Sequence, residues 1–448
     1  MSVHTAPVGV RRDPSTRSRA WLPAAAATFA IAWGGNEFTP LLQMYRQSDG
    51  FSAVTVDTLL FAYVLGIVPA LLVGGPLSDR LGRRPLMLPA PLLAAAGSLV
   101  LALGDGSVQV LMAGRVLGGI ALGIAMAVGG SWIEELSSPP WGDGGGAGVR
   151  RAAMSLTGGF GVGAAVAGVL AQWGPMPTAL PYALDVVLSL ATGIALLRAP
   201  ESRAARVGDR PLLVDLKIPA AAHRRFLFVV VPLAPWVFGA AASAYAVMPA
   251  LMADHAGGAP IAFSALLCTV ALSCGFAVQS VGRRSGSPTG ARAVIVALSL
   301  LVVGMVVSAW AAASLTLWLS VVAAAVLGCG YGRALVSGLG EVQRIAAPED
   351  LAGLTAVFYG LSYLGFAVPA VLAMLSRAWP HLFTYSVMFT AGAVAAIVCL
   401  MIVVAGHRHR AQSRFRGGTC RAALTQGGVT ARSFAGEEPA LTATAPSA

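Results

Sequence analysis

Residues 54–77 and 85–103 form two apolar runs, each long enough to cross a bilayer core, which takes about 20 residues of helix. Between them lies Gly75-Pro-Leu77-Ser-Asp79-Arg80-Leu-Gly82-Arg83-Arg84-Pro85, which packs four charged side chains into six residues. Charge of that density between two lipid-length helices leaves one arrangement. A helix descends on each side of a turn that sits at the membrane surface. The glycines let the two helix ends approach closely, and the three arginines direct the turn to the cytoplasm.

The rest of the chain has the same character. Of its 448 residues 56% are hydrophobic and 11% charged, with a mean hydropathy of +0.75. A soluble domain carries about 25% charged residues, so this composition belongs in lipid. Twelve runs qualify as spans, at about 21–44, 54–77, 85–103, 108–133, 152–173, 178–197, 226–252, 260–281, 293–313, 315–339, 351–375 and 382–405. The net charge of +11 raises the question of a nucleic-acid partner. No basic face or aromatic-basic module accompanies it, so that partner is rejected. Instead Lys and Arg gather on one side of the membrane. Only Arg46 and Arg377 fall on the other side, while Arg115 and Arg333 lie within spans. That asymmetry puts both termini in the cytoplasm.

The organisation follows. Residues 1–20 are a polar, basic cytoplasmic tail, 21–197 a first six-helix bundle, 198–225 a cytoplasmic linker, 226–405 a second bundle, and 406–448 a disordered tail. Cys268, Cys274, Cys329 and Cys399 fall in spans and Cys420 in the tail, with no pair at metal-ligand or redox spacing, so they read as free thiols. The first apolar run is longer than a signal-peptide core and reads as a retained helix.

The hairpin residues Gly75, Leu77, Asp79, Arg80, Gly82, Arg83 and Arg84 match the form G-x-L-x-D-R-x-G-R-R without departure. In this the chain resembles the major facilitator superfamily of secondary transporters. That resemblance implies an all-helical membrane protein of twelve spans in two pseudo-symmetric six-helix bundles. The two halves also align with each other. Residues 73–84 line up with 273–284 at an offset of 200, keeping both glycines and the arginine pair but losing the Asp-Arg. Gly163 to Ala171 lines up with Gly365 to Ala373 at an offset of 202. Two matches at nearly one spacing argue for a duplicated unit with parallel repeats.

Charge inside a bilayer costs roughly 2.5–3.5 kcal/mol on insertion scales, so each intramembrane charge needs an explanation. Four residues qualify: Glu37, Arg115, Asp185 and Arg333. Asp57 and Glu341 lie near enough to helix ends to be solvated. Glu37, beside Asn36, is a candidate proton or substrate site facing a central cavity, or else an interfacial carboxylate reaching outer water. Asp185 is a candidate partner of Arg115, a pore-lining group, or a solvated helix-end acid. Arg333, among small residues, can clamp an anion or bond backbone carbonyls. Tyr359, Tyr363 and Trp236 either line an aromatic cavity or pack. Arg115 lies in Gly114-Arg115-Val-Leu-Gly118-Gly119-Ile-Ala-Leu-Gly123, which resembles the superfamily's fourth-helix pattern. There such an arginine is associated with proton coupling; a cation that ties helix four to a neighbour is the alternative.

For the hairpin, the resemblance implies a cytoplasmic gate of Gly75, Asp79, Arg80, Gly82, Arg83, Arg84 and Glu134. In it Asp79 meets a helix N-terminus of the other half, and an arginine pairs with Glu134 or Glu135. The glycine-rich fifth helix lacks the Gly-Pro pair usual in antiporters of the superfamily; Pro369 stands at the related place in helix eleven. No G-x-x-x-x-G-K-[ST] loop is present, which argues against direct ATP drive. The expectation is a monomeric transporter of the inner (plasma) membrane. It is not an enzyme, needs no cofactor beyond the proton motive force, and moves a small organic solute by alternating access, with proton-coupled efflux foremost. Proton-linked or facilitated uptake of a polar metabolite and a transport-dead sensor are the alternatives.

Overall fold

In lipid a backbone must satisfy its own hydrogen bonds, so each apolar run folds as a helix. A computed structural model describes residues 19–104, 106–142, 147–203, 219–282, 290–347 and 350–406. Twelve long helices run through the described residues. They are α1 Leu22–Ser48, α2 Ala53–Leu81, α3 Arg83–Leu103, α4 Val108–Leu136, α5 Ala147–Trp173, α6 Leu180–Leu196, α7 Phe226–His255, α8 Pro260–Gly282, α9 Ala291–Ser314, α10 Leu317–Ile345, α11 Gly353–Ala378 and α12 Tyr385–Gly406. Ten are long and apolar enough to cross a membrane, and α6 is a shorter apolar helix. The remaining one, α1, carries Asn36 and Glu37 in its middle and is buried almost continuously from Ala24 to Tyr45. Most of the first tail, much of the linker, Arg283 and Arg284, and the last tail beyond Gly406 lie outside the described residues.

The two halves, α1–α6 and α7–α12, are built on matching glycine contacts. A β carbon on Gly119 of α4 would collide with the carbonyl oxygen of Tyr63 on α2, and one on Gly123 with that of Ile67. In the second half Gly328 and Gly332 of α10 meet the carbonyls of Ala271 and Gly275 on α8 in the same way. Small residues allow this approach where lipid provides no force to push helices together. Gly163 of α5 lies on the Trp33 carbonyl of α1, and Gly365 of α11 lies on the Pro235 carbonyl of α7. Both pairs are related by 202, as the sequence alignment expects.

The other alignment needs correction. Packing relates α2 to α8 by 208 (Tyr63 to Ala271, Ile67 to Gly275), not 200. The surroundings differ accordingly, since Gly75 faces open space while Gly275 is wedged against the Tyr331 ring and the Gly328 carbonyl. A shared Gly-Arg-Arg had aligned the ends of two helices of unequal length.

The hairpin is also tighter than the sequence implies. Helix α2 continues through Gly75 and Asp79 to Leu81, and α3 begins at Arg83. Only Gly82 turns the chain, with φ at 100°, a conformation that favours glycine. Its end of the molecule is called the hairpin end, and the end bearing Asp49 to Ser52 the loop end. Exposed Trp173, Trp310, Trp318 and Trp379 ring the loop end, where indoles suit the headgroup level.

Candidate functional site

Glu37 and Asp185 are both fully buried. They meet at one hydroxyl: Ser98 Oγ on α3 lies 3.1 Å from Glu37 Oε1 on α1 and 2.7 Å from Asp185 Oδ2 on α6. Among the described residues Glu37 Oε2 and Asp185 Oδ1 have no hydrogen-bond partner. A serine hydroxyl has one hydrogen to give. Both contacts are hydrogen bonds only when one carboxyl is itself protonated and donates to Ser98 Oγ. Three helices thus build a site that balances with a proton on one acid.

Asn36 is one residue from Glu37, which turns it about 100° around the helix. It faces the middle of the molecule, donating to Phe160 O (3.2 Å) and to Cys268 Sγ of α8 (3.3 Å), and accepting from Thr39 Oγ1 (2.7 Å). The expectation that Asn36 and Glu37 face one cavity is therefore corrected. Asn36 lines the central cavity, while Glu37 points to Ser98 and Asp185. Nor do these two acids reach solvent at a helix end.

Arg115 makes no ion pair among the described residues, so Asp185 is not its partner. Its guanidinium is stacked between Phe38 (4.4 Å to the centroid) and Tyr63 (4.1 Å), and Nε donates to Leu59 O at 3.4 Å. Ring faces stabilise a desolvated cation by about 2 kcal/mol each. Arg115 and Gly35 also separate two cavities. One is a central space between the halves, lined by both residues together with Asn36, Thr39, Tyr63, Phe160, Phe238, Tyr245, Tyr331, Tyr363 and Phe366. The other, smaller, is lined by the same pair with Ser98 and Asp185.

The wall of the central cavity is divided by chemistry. The first half supplies Asn36, Thr39 and Arg115. The second half supplies an aromatic cluster, with Phe238 stacked on Tyr363 (4.3 Å between centroids) and on Phe366 (5.1 Å). Of the expected aromatic residues only Tyr363 lines this space; Tyr359 and Trp236 do not. Arg333 is buried on α10 but is not part of the lining either, since the cavity-facing residue of that turn is Tyr331.

At the hairpin end, Arg83 is the hub. It bonds Asp79 Oδ1 (3.0 Å) and Ser78 Oγ on α2, and Glu135 Oε1 (3.0 Å) on α4. Glu135 in turn accepts from Ser202 Oγ. Asp79 takes a second cation, Arg203, at 2.8 Å. Glu201 accepts from the backbone N–H groups of Arg83 (3.0 Å) and Arg84 (2.9 Å), capping α3. Of the two acids expected, Glu134 and Glu135, the partner is Glu135, while Glu134 is exposed one residue along. One expectation changes: among the described residues Asp79 pairs with Arg83 of its own half and Arg203 of the linker rather than with a helix of the other half.

Asp57 and Glu341, expected to be solvated, are buried and paired. Asp57 takes Arg46 at 3.1 Å, and Glu341 of α10 takes Arg225 and Arg344. Among the described residues, polar contacts join the halves at the centre and the loop end. They include Asn36 to Cys268, Tyr363 Oη to Met126 Sδ (3.0 Å), and Gln172 of α5 to the start of α8.

Twelve helices in two related halves, ten of them long and apolar enough to cross a membrane, enclose a cavity at their junction, the architecture of a membrane transporter rather than an enzyme. The sequence profile of the Major Facilitator Superfamily matches residues 24–370. The chain belongs to that family. The chain is 25% identical to the chloramphenicol resistance protein of Pseudomonas aeruginosa over 391 residues, covering 82% of this chain and 89% of the relative. It is 29% identical to the arabinose-proton symporter of Bacillus subtilis over 99 residues, 22% of this chain and 20% of the relative. In fold it is similar to the xylose transporter XylE from E. coli, with a TM-score of 0.65 and 14% identity over 86% of this chain and 97% of that one. The protein is thus a secondary transporter of small solutes that works by alternating access.

Proposed function

We propose that the protein couples export of a small, largely apolar aromatic compound to the inward movement of protons across the plasma membrane. It acts as a monomer, with its termini and the Gly82 turn in the cytoplasm. The observation that carries this reading is the pair of adjoining cavities. Substrate occupies the central one, between the aromatic wall of α7, α10 and α11 and the polar wall of Asn36, Thr39 and Arg115. The proton occupies the Glu37–Ser98–Asp185 site, whose Ser98 and Asp185 line the smaller one. Arg115 borders both, so its positive field reaches both occupants.

The stacked rings of Phe238, Tyr363 and Phe366 offer an apolar aromatic compound an aromatic surface. The name of the Pseudomonas relative supports a drug-like substrate. The arabinose-proton symporter supports the proton. In proteoliposomes with an imposed pH gradient, radiolabelled chloramphenicol should accumulate against its own gradient in the direction opposite to proton flow. Equilibration without accumulation would make the protein a facilitator, and accumulation along with the proton would make it a symporter. Absence of flux for this and other aromatic compounds would leave the sensor reading.

A further inference from the structure

Helix α8 begins Gly258-Ala259-Pro260-Ile261-Ala262. The first turn of any helix leaves N–H groups without internal partners, and a side-chain oxygen at the position before the helix accepts from the second or third residue. Here that position is Ala259, which has no such oxygen. Ile261 and Ala262 are the two residues left wanting.

Their acceptor comes from the other half of the molecule. Gln172, in the last turn of α5, accepts from Ile261 N at 3.0 Å and from Ala262 N at 3.1 Å through the same oxygen. Its amide nitrogen donates to Gly258 O at 3.2 Å. One side chain therefore caps a helix of the opposite bundle with three hydrogen bonds. One turn deeper, Gly168 of α5 packs against Ala265 of α8 so closely that a β carbon on Gly168 would collide with the Ala265 methyl. The contact is a seam as well as a cap.

We infer that Gln172 is the gating residue of the loop end, a cap that α8 has only while the two halves are closed there. When α5 and α8 separate, the N–H groups of Ile261 and Ala262 turn to water and the Gly168 seam opens. The cap thus favours the loop-closed state by the difference between a fixed acceptor and solvent, and binding to one state is what moves such an equilibrium. This rests on the halves moving as alternating access requires, not on the identity of substrate or ion.

The test is a distance measurement between spin labels at Pro175 and Asp254, both exposed beside the seam, in the full-length, cysteine-free protein in nanodiscs. The parent protein should show a short and a long distance. Gln172→Ala should move the ratio about fivefold toward the long one, the population equivalent of one lost helix cap. Gln172→Glu keeps two acceptor bonds and should restore most of the short population. A parent with one distance under every condition would refute the moving halves and the inference with them. Two distances in the parent, unchanged in Gln172→Ala, would overturn the gate alone. Turnover gives a second readout: Gln172→Ala should change the maximal rate while leaving apparent substrate affinity within about twofold, because Gln172 does not line the cavity.

Discussion

Glu37 and Asp185 lie 148 positions apart in the chain and close on the same serine hydroxyl, at 3.1 and 2.7 Å. Neither acid can lose its counterpart without leaving the hydroxyl with a single carboxyl partner. Glu37→Gln and Asp185→Asn should each abolish pH-driven accumulation, by at least tenfold, while substrate exchange across equal pH continues. Ser98→Ala should lower coupled flux several-fold with both acids present. Proteoliposome flux measures all three, and full coupling in Asp185→Asn would remove it from the proton site.

Arg115 is held by rings rather than by an acid, so its shape matters as well as its charge. Arg115→Lys retains the cation but loses the planar stacking on Phe38 and Tyr63. The loss should be about 1–3 kcal/mol. Thermal unfolding in detergent should show a lower midpoint for this variant. An unchanged midpoint would mean the rings contribute no hold on the side chain.

Glycine substitutions should separate the seams from the open faces. Gly119→Ala and Gly328→Ala place a methyl inside a neighbouring carbonyl and should cost about 1–3 kcal/mol by overpacking. Gly161→Ala and Gly340→Ala meet nothing within 4 Å and should be neutral or stabilising, since alanine is the better helix former. Thermal midpoints that ranked the four in any other order would contradict the packing.

The two acids at the end of α4 should behave differently. Glu135→Gln removes the partner of a nearly buried Arg83 and should slow turnover, whereas Glu134→Gln should leave it within about twofold. Asp79→Asn, which frees Arg203 and Arg83 together, should slow turnover at least as much as Glu135→Gln while the protein still inserts. Maximal rates at saturating substrate, with protein levels measured alongside, decide this.

Much of the fold could be read from apolar run length, because a membrane helix must be continuous to satisfy its backbone. The same rule exposed Glu37, Arg115 and Asp185, since charge in lipid is conspicuous. Ser98 was not legible. A hydroxyl on an apolar helix bonds its own backbone as readily as anything else, and nothing in Gly97-Ser98-Leu99 announces two acids opposite. Most of the aromatic wall was missed for another reason. Phe238, Tyr331 and Phe366 join the expected Tyr363 from three helices and gather only when these pack. The choice between Glu134 and Glu135 stayed open because adjacent helical residues differ in direction by about 100°, which sequence alone cannot orient. The repeat register failed where a surface motif outweighed the buried glycines that fix how helices dock.

The carbonyl-seated glycines have one more consequence. They seat α5 on α1 and α4 on α2, within the half that also carries the acid pair and the Asp79 turn. If that half tilts as one body, the two sites keep their spacing, and the proposed protonation reaches the turn only through the orientation of the whole half.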